Sequence, residues 1–457
     1  MDMNERKAFY VSQIQDNFLP YWLKFVDREQ GGILNCIHNN GDQRLSDNKF
    51  TWSQGRWLWV LARVYRLAKQ GVLPKVDPAE LEPLMDETFR FLADKSIYGP
   101  EDICCYLLTR DGEKLVDEPT GRYDASIYAD CFALIGSAQY AKMTQNTEAA
   151  DVAHRLYRSI TKRVERGDFL TEPYPVPDGY QVHGIPMILV DTVQEYMDMR
   201  RSFGLDVAEQ ESYVRGKVHF ILDVLYDGDG LIREHLSDDK SYTRLLDRHI
   251  NPGHTLEDAW FLLEFLEEYG ELDKYLPRIA QIAKRTFHLG WDEKYGGLLR
   301  FVDREGGAPR GDCIGTPYEE LVKDTWDMKL WWPHSELLYI FSYLYQLTGD
   351  EEFEALYQQS ADYAFSTFPN KELGEWVQIR QRDGSPQDKL VALPVKDPFH
   401  ILRDFIPVHG SAHRLHVLCR CARGGLHLRV QKFGVLCVYC LQQRRKVAAG
   451  TRAAVVV

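Results

Sequence analysis

Gly296-Gly-Leu-Leu-Arg-Phe-Val-Asp-Arg-Glu-Gly306 is a glycine pair, a short hydrophobic run and a glutamate-glycine turn, and versions of it recur along the chain. Gly31-Gly-Ile-Leu-Asn-Cys-Ile-His-Asn-Asn-Gly41 and Gly99-Pro-Glu-Asp-Ile-Cys-Cys-Tyr-Leu-Leu-Thr-Arg-Asp-Gly112 precede it. Gly374-Glu-Trp-Val-Gln-Ile-Arg-Gln-Arg-Asp-Gly384 follows it, and shorter copies begin at Gly167 and Gly230. The six starts lie 63 to 78 residues apart. Each copy predicts a small strand or hairpin arm, with Asp-Gly or Asn-Gly as the positive-φ turn residues. A period of this kind marks an array of like units.

Between the copies, apolar residues recur at three- and four-residue spacing, as in Trp57, Val60, Leu61, Val64, Tyr65 and Leu67, the mark of a helix with a buried face. Each unit has room for two helices. Pairs that can be drawn include about 53–70 with 78–95, 124–144 with 147–165, 254–269 with 272–288, and 333–348 with 351–367. Six helical hairpins, each needing a neighbour to cover its apolar side, predict an all-α fold in which twelve helices close into an (α/α)6 barrel. Short β-hairpins decorate the loops of one face. The helix after each glycine-led copy is assigned to the inner ring, because those helices are the most aromatic. An open solenoid of hairpins is the competing arrangement.

The composition supplies the core such a barrel needs: 44% hydrophobic residues, with 10 Trp, 25 Tyr and 21 Phe, exclude wholesale disorder. The N-terminal residues lack the apolar region of a signal peptide, and no uncharged apolar run reaches the ~18 residues of a membrane span, so a soluble, cytoplasmic protein is expected. Nine cysteines in 457 residues read as reduced thiols. The net charge of −13 argues against nucleic-acid and anionic-membrane partners. That charge is uneven. Residues 406–457 carry nine basic side chains and no Asp or Glu, which leaves −22 on residues 1–405. Four of the nine cysteines (Cys419, Cys421, Cys437, Cys440) lie in this tail, without the spacings that identify a zinc site. The barrel is therefore assigned to 1–405, and 406–457 is read as a segment not shaped to fold, as an altered reading frame would produce.

Polar residues recur where the inner helices begin. In Asn251-Pro-Gly-His-Thr-Leu-Glu-Asp-Ala-Trp260, His254 and Glu257 are three apart and share a helix face, so Glu257 can orient His254 or take a proton itself. Thr255 and Asp258 also suit a helix start, so the pair alone decides nothing. Arg56 is the cation in the aromatic stretch Trp52-Ser-Gln-Gly-Arg-Trp-Leu-Trp59. His183 leads His-Gly-Ile-Pro-Met, His334 stands in Trp331-Trp-Pro-His-Ser-Glu336, and His400 in Lys396-Asp-Pro-Phe-His-Ile-Leu-Arg403. In a closed ring these starts face one mouth. Imidazoles, a guanidinium and flat aromatic rings there suit a sugar.

These segments resemble the N-acylglucosamine 2-epimerase family, which includes cellobiose 2-epimerases and mannose isomerases. The resemblance spans roughly residues 10–405. It rests on Gln54-Gly-Arg56, Asn251-Pro-Gly-His254 with Glu257, Lys329-Leu-Trp-Trp-Pro-His-Ser-Glu336, Gly374-Glu-Trp376 and Pro398-Phe-His400. Family members have the (α/α)6 barrel. By resemblance, His254 and His400 are the acid/base histidines, Glu257 supports His254, and Arg56 binds the substrate near its carbonyl end. His183, Trp332, His334 and Trp376 correspond to pocket residues. The chemistry suits them: inverting C2 of a ring-opened aldose takes a base on one face and an acid on the other, and an imidazole with a pKa near ~6.5 serves as either. Arg56 would hold the developing oxyanion.

The tryptophan-proline-histidine segment resembles the N-acetylglucosamine branch more than the disaccharide branch, which implies interconversion of N-acetylglucosamine and N-acetylmannosamine; cellobiose or mannose is the alternative substrate. No metal is assigned. Some relatives use ATP as an effector that is not consumed, but no Gly-x-x-x-x-Gly-Lys-Ser/Thr loop is present, so no cofactor is assigned and nucleotide dependence stays open. The partner is a small-molecule sugar, with a homodimer left open. A glycoside hydrolase would need a carboxylate pair, for which Asp124, Asp130, Glu257, Glu319 and Glu320 are candidates. A sugar-binding protein without turnover is the third reading. One departure stands out: recognisable pattern stops near residues 404–406, short of the full twelfth helix of the family.

Overall fold

The computed structural model describes residues 3–389 and 393–405. The tail from Ile406 lies outside the described residues. Helix α1 spans residues 3–25, with local wider and tighter turns. Then come α2 (Thr51–Lys69), α3 (Pro78–Phe91), α4 (Ile127–Thr144), α5 (Thr147–Arg166), α6 (Gly184–Ser202) and α7 (Ala208–His219). They are followed by α8 (Pro252–Tyr269), α9 (Leu272–Gly290), α10 (Trp331–Thr348), α11 (Glu351–Thr367) and α12 (Phe399–Phe405). The even-numbered helices touch one another in sequence, and α12 returns to α2, so the inner ring closes. Each carries an odd-numbered helix outside it. The open solenoid is excluded.

Local sequence explains which helix goes where. On α5, Ala149, Val152, Ala153, Leu156, Tyr157 and Ile160 form one buried stripe, Asn146 caps the start by accepting from the Ala149 N–H, and Gly167 ends the helix at φ 67°. Inner α4 is buried on every side, including Asp130, Ser137 and Gln139. Besides α6 and α7, for which the sequence reading drew no bounds, the helix missing from it is α1. Its inner partner α12 stands at the other end of the chain, so the forward repeat never points to it. Tyr10 joins them, stacking 4.5 Å from Phe405 and hydrogen-bonding Tyr357 of α11 at 2.7 Å.

The glycine-led copies are slighter than hairpins of full length. They form isolated bridges such as Val26 with Ile33 and Trp291 with Leu298, or antiparallel strands of two or three residues. These tie the loops over one end: Lys49–Phe50 pairs with Leu107–Leu108, His249–Ile250 with Val302–Asp303, and Lys329–Leu330 with Ile379–Arg380. The first member of each pair leads directly into an inner helix, so the loop layer sets where that helix begins. Among the described residues the five cysteines are free, Cys104 and Cys105 included, and no helix is long and apolar enough to cross a membrane.

Two inner helices approach unusually closely. A Cβ on Gly55 would lie 2.2 Å from the Phe132 carbonyl oxygen, and one on Gly136 would lie 2.4 Å from that of Gly55. Because both obstacles are backbone, Gly55→Ala is expected to push α2 from α4 and lower stability by about 1–3 kcal/mol. Gly216→Ala on α7 meets nothing within 4 Å and serves as the control. Urea unfolding of the two variants reads the difference; equal midpoints would sink the close-approach argument.

Candidate active site

The first turns of all six inner helices line one cavity of about 190 Å³. Arg56 comes from α2, Phe132 from α4, Met187 from α6, His254 and Glu257 from α8, Trp332 from α10, and His400 and Arg403 from α12; Tyr174, Glu234, Arg300 and Tyr318 come from loops. The inner helices point their N-terminal ends at this mouth, so their dipoles favour negative charge within it.

His254 and His400 share this cavity, and both lie against Trp332, whose ring centroid is 5.6 Å from the first and 5.3 Å from the second. Trp332 can lie there because residue 253 is glycine: a Cβ would come within 2.5 Å of the indole. Each imidazole is anchored from behind. His254 Nδ1–H donates to Glu234 Oε1 at 2.8 Å, which leaves Nε2 for the cavity; the side chain is 27% exposed. His400 Nδ1–H donates to Glu336 Oε1 at 2.8 Å, and the side chain is 8% exposed. Burial pushes the His400 pKa down to about 3, so the ring is neutral and its Nε2 accepts from Arg56 Nη2 at 3.3 Å.

Arg56 is held by an ion pair with Asp397 and by the faces of Phe132 and Phe399, 4.0 and 4.9 Å from its guanidinium carbon. Asp397 also accepts from the Phe399 N–H at 2.7 Å, which fixes the start of α12 and with it His400.

The partner assigned to His254 requires correction. Glu257 does not support it. Glu257 pairs with Arg403 and faces His400 Nδ1 at 3.5 Å. Residues three apart on a helix lie ~4.5 Å apart along its axis. His254 is at the mouth, where a loop carboxylate reaches it, and Glu257 is deeper, where α12 does. Arg403 also binds Glu336 Oε1 at 2.6 Å, and Trp260 Nε1–H donates to Glu336 Oε2 at 2.7 Å. Burial opposes charge on Arg403, but Glu336 and Glu257 hold its pKa well above the usual range. Glu257, Glu336 and His400 are the one group among the described residues whose ligand atoms come close enough for a metal ion, and the Arg403 guanidinium already lies against both carboxylates.

Three other candidates stand outside the cavity wall. His183 is fully buried between Asp258 and Glu234. His334 accepts from the Leu298 N–H at 2.8 Å, donates to the Leu330 carbonyl at 2.6 Å and stacks on Tyr363, which makes it a strut between a loop and α10. Trp376 packs among Phe18, Phe365 and Phe368 in the core. Of the carboxylates considered for hydrolysis, Asp124 pairs with Arg122, Asp130 with Arg163, Glu319 accepts from the N–H groups of Ile314 to Thr316, and Glu320 pairs with Lys323. Only Glu257 reaches the cavity. A larger polar recess of about 450 Å³ lies between Tyr295 and Arg382, whose guanidinium is paired with Asp292.

The sequence reading missed Glu234, Glu336, Arg403 and Asp397. Two of these had a signal: Arg403 follows His400 at the same three-residue spacing as Glu257 follows His254, and Glu336 closes the Trp331–Glu336 segment. Beneath Arg403, Asp191 on α6 is buried, and that burial pushes its pKa up to about 8. The unfolded chain gives up this proton near ~4 and the folded one near 8, so wild-type stability falls as pH rises between those values. Asp191→Asn lacks that loss. Its stability gain over wild type is expected to be more than about 1 kcal/mol larger at pH 8 than at pH 5; urea unfolding at both pH values checks it, and a constant difference would place the carboxyl in water.

Comparison with known proteins bears on the family and the fold. A family model described as N-acylglucosamine 2-epimerase (GlcNAc 2-epimerase) matches residues 31–403. N-acylglucosamine 2-epimerase from Bos taurus is 29% identical over 397 residues, covering 86% of this chain and 88% of the bovine one. Cellobiose 2-epimerase from Ruminococcus albus is 21% identical, covering 85% and 94%. In fold, the chain is similar to the solved structure of cellobiose 2-epimerase from Bacillus thermoamylovorans B4167, with a TM-score of 0.69 at 19% identity over 88% of this chain and 98% of that one.

Proposed function

The chain belongs to the N-acylglucosamine 2-epimerase family, and from that premise we propose that it interconverts N-acetylglucosamine and N-acetylmannosamine by exchanging the proton at C2. The observation that carries the reading is the pair of carboxylate-anchored imidazoles, His254 and His400, that line one cavity with Trp332 next to both. The ring-opened sugar places its C1 carbonyl oxygen at Arg56. One imidazole takes the C2 proton, the electron pair moves onto O1, and Arg56 with the helix N-termini holds the negative charge. The other imidazole returns a proton to the opposite face of C2. His400, neutral with its Nε2 unprotonated, is the ring set to take the proton, and in the reverse reaction it returns the proton it then carries.

The choice of sugar rests on the bovine relative's name and on cavity size. About 190 Å³ lies below the ~300–1,000 Å³ usual for drug-sized ligands and suits a single sugar ring. The Arg403 guanidinium supplies positive charge where a metal would otherwise bind, so the reaction is assigned to side chains alone. The test is incubation of the full chain with N-acetylmannosamine, mannose or cellobiose in deuterated water, with and without chelator and ATP. NMR is expected to show loss of the C2 proton and formation of N-acetylglucosamine from the first sugar, unaffected by chelator. Faster exchange with cellobiose or mannose would transfer the assignment to that sugar, and exchange with none of them would overturn it.

A further inference from the structure

We infer that His183 and Asp258 are positioning residues that act through Glu234, dividing its negative charge and so setting how readily His254 takes up and releases a proton. The inference rests on the reading of His254 as an acid/base, and the geometry supplies the path. The strand Tyr180–Val182 pairs with His235–Ser237, and the His183 N–H donates to the Glu234 carbonyl at 2.9 Å, so the two side chains emerge together. Glu234 then spans two imidazoles, with Oε1 2.8 Å from His254 Nδ1 and Oε2 3.6 Å from His183 Nδ1. The far nitrogen of His183, Nε2–H, donates to Asp258 Oδ2 at 2.8 Å. Asp258 lies one turn beyond His254 on α8, so the chain of contacts closes on the helix where it began.

His183 is fully buried and stands behind the residues that line the cavity, so substrate contact does not account for it. Burial alone would push its pKa down, but Asp258 and Glu234 raise it to about 9, and the ring is a cation at neutral pH. Glu234 is in turn held well below the usual carboxylate range by His254 and His183. The remaining titratable groups that act on Glu234 or respond to it are His235, His249, Tyr128 and Tyr318, and burial keeps both histidines neutral. Burial, and the negative charge of neighbouring Glu257, raise the Asp258 pKa, while His183 opposes them. His183 is thus the positive charge that offsets Glu234 on the side away from His254.

The arrangement makes a signed prediction. Glu234→Gln removes a negative charge beside His254, so the acid limb of the kcat/KM profile for N-acetylmannosamine moves to lower pH. His183→Gln removes the offsetting cation and moves that limb to higher pH. Asp258→Asn, which releases the proton of His183, moves it the same way. Shifts of ~1 pH unit are expected for charges this close, with KM changed less than threefold in each variant. A purely structural role would move the three limbs together or not at all, and either result overturns the inference. Asp258→Asn keeps the test decisive if His183→Gln does not fold. The underlying reading fails separately: if wild type exchanges no C2 proton, or if His254→Ala exchanges normally, His254 is not the group being tuned.

Discussion

Replacing either His254 or His400 with alanine is expected to lower C2 proton exchange by about 10³-fold or more, while His334→Gln retains it. General acid-base assistance by one positioned group contributes ~10²–10⁴-fold, and each ring here handles one face of C2, so loss of either stops epimerisation in both directions. The three histidines separate by location. His254 and His400 line the cavity, whereas both nitrogens of His334 are engaged with the backbone of residues 298 and 330. His334→Gln therefore weakens the joint between a loop and α10 and appears as lost thermal stability. The C2 deuteration rate by NMR, read beside a melting curve, distinguishes the cases. Normal exchange in His400→Ala would remove α12 from the chemistry.

Arg403→Ala is the second large effect, and it falls on the fold. Arg403 is 3% exposed and is shared by Glu257 and Glu336, with Asp191 and Asp404 also raising its pKa. Removing one partner of a buried pair typically costs about 3–5 kcal/mol, because the charge left behind has no water to solvate it. Here one guanidinium serves two carboxylates, so the upper part of that range applies. The partial unpairing of Glu336 also loosens His400, and activity falls with stability. Adding Glu257→Gln to Arg403→Ala removes one stranded charge and is expected to recover part of the lost stability, a non-additivity that urea unfolding of the single and double variants measures. Strictly additive effects would mean that the contact contributes nothing as a pair.

The closing of the ring shows why some features were legible. Glycine-led copies at nearly constant spacing reflect a local need repeated six times: a tight turn, then a short strand, then a helix whose start must face the mouth. Local needs are written in local sequence, so the inner helices and the histidines and arginine at their starts could be assigned without coordinates. Trp376 and His334 misled for a related reason. They lie in the segments that resemble the family most closely, but resemblance marks a position and does not say whether the side chain turns toward a cavity or into the packing beneath it. Loop-borne Glu234 was missed because its partner is twenty residues away, beyond an intervening loop with no short-range signature.

Periodicity in the chain was enough to predict six helical hairpins, while aromatic content and the residues at helix starts indicated which helix of each hairpin is inner and that imidazoles and a guanidinium gather at one end. Tertiary structure alone decided which carboxylate serves which imidazole. Residues three apart on a helix share a face but stand at different depths, so His254 finds Glu234 in a loop and Glu257 finds Arg403 on α12. Contacts of that kind depend on how far each helix extends toward the axis, a distance set by the whole ring and written in no single segment.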